Sequence, residues 1–534
     1  MKPAPLLPIL LGGLIWLVWA GTGPANIPVT LLGLGVMLIV PLGVSTRTAW
    51  WALPCGIPLL IALRLPRGLL AGVLAMPWLG LTLALAIGGT LRLLRRGGQE
   101  PSERCIDTGH VLVLVGGVWA LLDRLGAQPL GYSPLLVELT AVHFHFAGFA
   151  LPLLAGMLGR ERPTGTPRWI SIGILAGIPL VAGGLVISQL TGWTAAEWLP
   201  SWLLAATGMG VALGQIRDAR HQPALRALLL VLSGAALLVG MVLAGAWGLA
   251  RAWLLPWPTM FDMFTLHGLL NAGGFSLLGL LARHQATASP PLPSPPLQHL
   301  RGAGHIGRGW FVRQGIADPN TPPPPGQLER LEDLQQPGLE LDEVHPDVRH
   351  FYEHTDQYDL LVRPRWSPWI SPLVPWIVGM SARVGQLVLP VDTGDWQRVC
   401  VDMLAARRPH AGPSDLRLYE RHYEDGRPMF IAAYATFQVA GRGRLAVALP
   451  LPGAAIVSVM AMDNAPEGAI TLRTRPDPGG DPCGFYLTIG RLLIRLPGHE
   501  ELQLGPSPAG LIATHRVTVL GLRVLRMDYR LPRR

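Results

Sequence analysis

The sequence predicts a polytopic α-helical membrane protein followed by a soluble α+β domain that is mainly antiparallel β. Three observations carry this. Hydrophobic residues make up 50% of the 534 and charged residues only 14%, against about 25% charged in soluble proteins. The deficit is confined to the first half: charges are sparse up to Arg283, and beyond it charge density is ordinary and proline abundant. After Arg427 the hydrophobic period changes to two, the mark of strands.

A membrane helix needs roughly 20 mostly apolar residues. Ten stretches are candidates: residues 5–21, 27–43, 50–64, 68–91, 108–125, 134–158, 170–191, 198–215, 224–249 and 259–281. The third is short and holds Pro54 and Pro58. The first, an apolar run behind Lys2, reads as an uncleaved signal anchor because another span follows closely. Arginine in the short loops sets the orientation. With the N-terminus inside, the cytoplasmic loops hold Arg47, Arg92, Arg95, Arg96, Arg104, Arg160, Arg162, Arg168, Arg217, Arg220 and Arg226. Those eleven stand against four opposite: Arg64, Arg67, Arg124 and Arg251. Both ends of the membrane unit, residues 1–285, are then expected on the cytoplasmic side of a bacterial cell (inner) membrane.

Residues 286–344 contain SPPLPSPP and DPNTPPPPG, a composition that predicts a proline- and glycine-rich linker without a core. Residues 345–534 predict a cytoplasmic β-rich domain. Its first segment, HPDVRHFYEHTDQYDL, sets Val348, Phe351 and Tyr352 at helical spacing. In RPRWSPWISPLVPWIVGMSARVG, prolines break up Trp366, Trp369 and Trp376. Proline excludes a regular span there, while tryptophan favours the headgroup region. The segment is expected on the inner leaflet, against the membrane unit, or as a tryptophan-rich piece of core. FIAAYATFQV, RLAVALPL, AIVSVMAM, AITLRT, GFYLTI, RLLIRL and THRVTVLGLRVLRMDYRL then predict seven or eight antiparallel strands, in a curved sheet, half-barrel or sandwich. A curved sheet suits an apolar or lipidic ligand.

Composition also excludes partners. The net charge of +9 is almost all arginine, Lys2 being the only lysine. No basic cluster interleaved with aromatics appears, so no nucleic acid is expected. Cys55, Cys105, Cys400 and Cys483 form no CxxC pair, which argues against zinc knuckles, iron–sulfur ligation and a disulfide framework. The lipid bilayer is the expected partner. Oligomeric state and any reaction or transported substrate are not legible.

The residues that stand out chemically are histidines in apolar surroundings. In TAVHFHFAGFAL, His143 and His145 lie within the sixth stretch, and His267 lies within the tenth. An ionisable group inside the membrane marks function by default. His143 and His267 each fall some 10–14 Å below the outer boundary, at about 1.5 Å per residue, so they can face each other if their helices are neighbours. Glu138 shares a face with His145, and Asn271 shares one with His267; both are candidates to support the histidines. His143 and His145 point about 200° apart on a helix, so they cannot chelate one metal together. The expected site therefore lies between the sixth and tenth spans, with His143, His145 and His267 as cofactor or metal ligands, proton carriers, or hydrogen-bonding groups. Glu138, His145 and His267 would also suit zinc, two imidazoles and a carboxylate leaving one open position.

HFHFAGF in the sixth span and LHGLLNAGGF in the tenth resemble the YndJ-like family of bacterial integral membrane proteins. So does FYEHTDQYDLLVRPRWSPW, running on to GQLVLPV, in the soluble half. The resemblance covers both halves, implies the same two-part plan and assigns no activity. Locally, His143-Phe144-His145-Phe146 is similar to the HFHY element of cytochrome oxidase subunit I, whose two histidines ligate hemes on opposite sides of one helix. That similarity implies heme b as a candidate cofactor, with one axial ligand from each of two helices. The oxidase also needs a copper triad, which three intramembrane histidines do not supply, so a terminal oxidase is excluded. Two other classes stay open: a transporter, and a non-catalytic sensor or scaffold whose β domain binds a lipidic ligand. Heme predicts a visible spectrum, transport predicts flux that depends on Glu138 or His145, and a scaffold predicts neither.

Overall fold

The structure is a computed structural model and describes residues 6–23, 26–97, 100–162, 168–284, 294–391, 394–407, 416–477 and 481–534. The chain divides into two compact units, residues 1–93 with 98–289, and 94–97 with 290–534.

In the first unit each predicted stretch is helical. The helices are α1 (Leu7–Gly21), α2 (Ile27–Leu42), α3 (Thr46–Ala62), α4 (Leu69–Arg96), α5 (Pro101–Leu125), α6 (Pro134–Glu161), α7 (Arg168–Thr191), α8 (Ala195–Ala219), α9 (Ala224–Trp253) and α10 (Met260–Arg283). Their starts are written locally: Ser45 and Ser133 accept the backbone N–H three residues on, and Thr259 with Asp262 forms a capping box. The seven helices α4–α10, of 24 to 30 residues, are long and apolar enough to cross a membrane. The other three are shorter, α1 having 15 residues and α3 having 17 with Pro54 and Pro58 inside. Length and composition thus support seven spans among the described residues, where the apolar runs suggested ten.

Helix α6 is the centre of this unit. Inside its most apolar window 89% of residues are buried, against 28–50% in the other six long helices. Around it the outer faces keep Leu69, Leu180, Leu225 and Val242 exposed, as a surface facing lipid tails allows. The last residue of α10, Arg283, is fully buried and pairs with Glu161 of α6 and, at 2.8 Å, with Asp218 of α8. Arg226 of α9 joins Glu161 at 2.7 Å, and Arg162 joins Asp218 at 2.7 Å. Several arginines of the loop bias are therefore structural ties between helices.

The second unit is a barrel. Its strands are β1 (Leu360–Trp366), β2 (Gln397–Ala405), β3 (Arg417–Tyr423), β4 (Pro428–Val439), β5 (Arg442–Leu451), β6 (Ala454–Asn464), β7 (Ile470–Arg473), β8 (Gly484–Ile489), β9 (Leu492–Arg495), β10 (Gly498–Ser507), β11 (Gly510–Val519) and β12 (Leu522–Leu531). They pair in the order β5-β4-β3-β2-β1-β12-β11-β10-β7-β6, and β6 pairs back with β5. Ten antiparallel strands so close a ring. The β8–β9 hairpin extends from the first part of β6, Ala454 to Val459, leaving Ala461 to Asn464 for β7. Closure removes the exposed strand edges that an open sheet would present.

The alternation of side chains follows the ring. Leu445, Val447 and Leu449 of β5 point inward, while Ala446 and Ala448 point outward and are equally buried. Their cover is the segment expected to be a linker. Of 286–344, residues 286–293, with most of SPPLPSPP, lie outside the described residues. From 294 onward the segment packs: Leu297, Leu300, Ile306, Trp310 and Phe311 bury against the outer alanines and valines of β4–β6. Leu328, Leu331, Leu334 and Leu339 join the inner core. The proline-rich composition conceals enough spaced apolar residues to clothe the barrel, so 294–344 is not a coreless linker. Helix α11 (Pro346–Glu353) buries Val348, Phe351 and Tyr352 as its spacing predicts. The tryptophan-rich segment becomes β1, a 3-10 stretch (Pro368–Leu373) and helix α12 (Val374–Val384).

Removing a buried charge's partner is costly, whereas exposed ion pairs contribute little. Arg283→Ala should lower stability by about 3 kcal/mol. Arg516→Ala, at the exposed pair with Glu501, should change it by less than about 0.5 kcal/mol. Unfolding of the full chain in mild detergent checks both.

Candidate functional site

The sequence singled out α6 and α10, and their π-helical turns are the first local anomaly. Helix α6 widens at Phe146–Ala150, directly after His145, and α10 at Met263–His267 and Leu270–Leu277. Helix α2 widens at Gly35–Ile39, and the three regions pack together. Such turns are rare and gather at functional sites.

His145 is fully buried, and its ring is answered on both sides. The indole N–H of Trp78 in α4 donates to Nε2 at 3.0 Å, and Nδ1 donates to the carbonyl of Ala141 at 2.8 Å. Trp78 also stacks on the ring, with centroids 5.8 Å apart and planes 20° apart. Glycines make the room: a Cβ at Gly116 would lie 2.7 Å from His145 Nδ1, and one at Gly35 would lie 3.1 Å from its Cβ. In this arrangement His145 offers no free nitrogen to a metal or heme.

His143 turns away from His145 as the 200° separation requires, and its side chain is exposed on the surface of α6, near His267. His267 bonds through Nδ1 to the carbonyl of Gly240 in α9, at 2.9 Å. Asn271 does not reach the imidazole of His267; its amide donates to the His267 carbonyl at 2.8 Å. A Cβ at Gly240 would stand 2.6 Å from that amide, so glycine lets α9 and α10 approach. Glu138 likewise serves elsewhere. Arg67 holds it at 3.2 Å, and the same guanidinium reaches Asp123 at 2.9 Å. Glu138, His145 and His267 therefore do not converge as a zinc set, and among the described residues no three His, Cys, Asp or Glu side chains form a metal-holding group. In the second unit, the rings of His350 and His354 lie 4.8 Å apart, tilted by 31°, and His350 bonds the Tyr358 hydroxyl at 3.1 Å.

The barrel holds what the sequence did not single out. Its interior is a cavity of about 280 Å³, walled by apolar side chains of β4–β6 and β10–β12 and by Ile377 and Ser381 of α12. Its polar lining groups include Arg421 of β3, Ser458 of β6, Glu500 of β10 and His515 of β11. Ser458 donates to Glu500 at 3.0 Å, and His515 Nε2 lies 3.9 Å from the same carboxyl. Burial pushes the Glu500 carboxyl up to about 7. Burial, helped by the charge of Arg421, pushes His515 down to about 4. Arg421 lies over the rings of Tyr419, Phe430 and Tyr529, at 4.8, 5.2 and 5.8 Å. The one signal in the sequence was Tyr419-x-Arg421-x-Tyr423, a period-two set ahead of the point where strands became legible.

The Glu500 shift fixes a pH dependence. The folded state holds this proton more tightly than the unfolded chain does. Stability is therefore full below the ordinary carboxylate range, falls as pH rises from there, and that contribution is lost once pH passes about 7. Glu500→Gln, which mimics the protonated acid, should match the parent near pH 4 and exceed it by about 2 kcal/mol at pH 8. Unfolding measured at both pH values checks the crossover.

Comparison with known proteins agrees with this two-part plan. Residues 29–275, from α2 to α10, match the family model described as YndJ-like protein. The uncharacterized membrane protein YndJ of Bacillus subtilis (strain 168) is 24% identical over 470 residues, covering 86% of this chain and 83% of that protein. No solved structure matches. The chain is therefore similar to YndJ-like membrane proteins, by the family model across α2–α10 and by overall similarity along most of its length.

Proposed function

We propose that this protein holds one apolar or lipidic molecule inside its β-barrel, as a membrane-anchored receptor or carrier without catalysis of its own. The observation that carries this is the ten-stranded ring around a cavity of about 280 Å³ with largely apolar walls. Rings of about eight strands are filled by their own side chains or hold one small ligand, and the volume here lies at the small end of ligand sites, roughly 300 Å³ upward. Helix α12 supports the same reading. Ile377 and Ser381 line the cavity, while Leu373, Trp376 and Met380 on and beside α12 are exposed. Tryptophan on such a surface suits the headgroup layer, from which an apolar molecule would enter. In this reading the spans anchor the barrel in a bacterial cell (inner) membrane.

A second reading has an observation of its own. The π-helical turns of α2, α6 and α10 pack together, and His143 and His267, near each other, each stand three residues before a π-helical segment of their helix. A two-imidazole site there would take heme or a metal, or carry protons for transport.

Both readings can be tested on the full chain in phosphatidylcholine nanodiscs. A neutral alkyl diazirine should photolabel cavity peptides such as that holding Leu502 and Leu504, and Ala513→Trp should suppress the labelling. Labels confined to the helices would overturn the barrel reading. For the second, a reduced Soret spectrum or stoichiometric metal that disappears in His143→Ala and His267→Ala would carry it; a colourless, metal-free protein would remove it.

A further inference from the structure

We infer that the barrel cavity selects a single-chain amphiphile with a carboxylate head, a fatty acid, and that Arg421 binds the carboxylate. This rests on the reading of the barrel as a site for an apolar molecule and adds the chemistry of its head.

Arg421 projects from β3 into the cavity, and a guanidinium does not deprotonate in a protein. A permanent positive charge thus stands among apolar walls. No carboxylate pairs with it among the described residues, and its Nε is buried without a partner. Its neighbours are the rings of Tyr419, Phe430 and Tyr529. The stabilisation such rings give is small against the cost of taking the charge out of water.

Two fully buried arginines of this chain are treated differently. Arg444, on β5, is held by Asp481 at 2.9 Å, by Asp477 at 3.4 Å and by Gln336. Arg283 is held by Glu161 and Asp218. At both, the protein supplies carboxylates. At Arg421 the counter-charge is left to a guest.

The other cavity groups do not supply it. Glu500 takes its hydrogen bond from Ser458 and lies beside His515, and burial raises its carboxyl to about 7, so it is mostly protonated below neutrality. His515 is neutral at the same pH. The cavity therefore carries a net positive charge. The fork of a guanidinium matches a carboxylate in two parallel bonds, and the hydroxyls of Tyr419 and Tyr529, whose rings lie beside the guanidinium, can add to them. A volume of about 280 Å³ admits one chain, not the two of a phospholipid.

The test is competition against the alkyl diazirine in the same nanodiscs. Dodecanoate should displace the photolabel from the parent barrel at about tenfold lower concentration than dodecanol. In Arg421→Met the two should agree within about twofold, with Arg421→Lys between them. Equal displacement by acid and alcohol in the parent overturns the carboxylate assignment while leaving the apolar-molecule reading intact. Stronger displacement by dodecyltrimethylammonium than by dodecanoate also overturns it, pointing to Glu500. Failure of the diazirine to label the cavity at all overturns both. If Arg421→Met does not fold, the acid-to-alcohol ratio of the parent alone decides.

Discussion

A polar group removed from water must find its partner inside the protein, and both halves of this chain are arranged around that constraint. In the helical unit it explains the glycines beside His145, the indole of Trp78 on its Nε2, and the carbonyl of Gly240 on His267. It explains why Arg283 ends α10 against two carboxylates. In the barrel it explains ring closure, which gives each of the ten ring strands a neighbour on both sides, and the carboxylates set around Arg444. Arg421 stands apart because it meets the constraint only in part, with rings and hydroxyls in place of an anion.

That contrast separates the two places where function was sought. Buried histidines in a membrane helix invite a cofactor, and the geometry answers His145 with two protein hydrogen bonds. What is left in the helical unit is the His143 and His267 pair, each three residues before a π-helical segment of its helix. The barrel offers more: space, apolar walls and an unpaired charge within one enclosure. A receptor or carrier for a charged-headed apolar molecule uses all three.

Much of the fold was legible in the sequence because its signals are local. Each predicted apolar run is helical, and strands from Phe430 onward follow their alternation. What escaped was non-local. The seven- or eight-stranded curved sheet is a closed ring because β1, β2, β3 and β10 join it, and LLVRPRW, QRVCVDMLA, RLYERHY and GHEELQLGPS show weak alternation with charged residues within. The segment 294–344 looked coreless because its apolar residues are covered by a surface contributed more than a hundred residues later. The candidate site divides the same way. Histidine in an apolar run is visible at a glance, whereas Arg421 becomes unusual only once β3 turns it inward and no carboxylate arrives.

The most direct measurement is a native mass spectrum of the full chain, taken from its own membranes in a mild neutral detergent. The account predicts a one-to-one adduct with the mass of a single fatty acid, lost in Arg421→Met while the fold is retained. A bare chain, or adducts of phospholipid alone that persist in Arg421→Met, would contradict it.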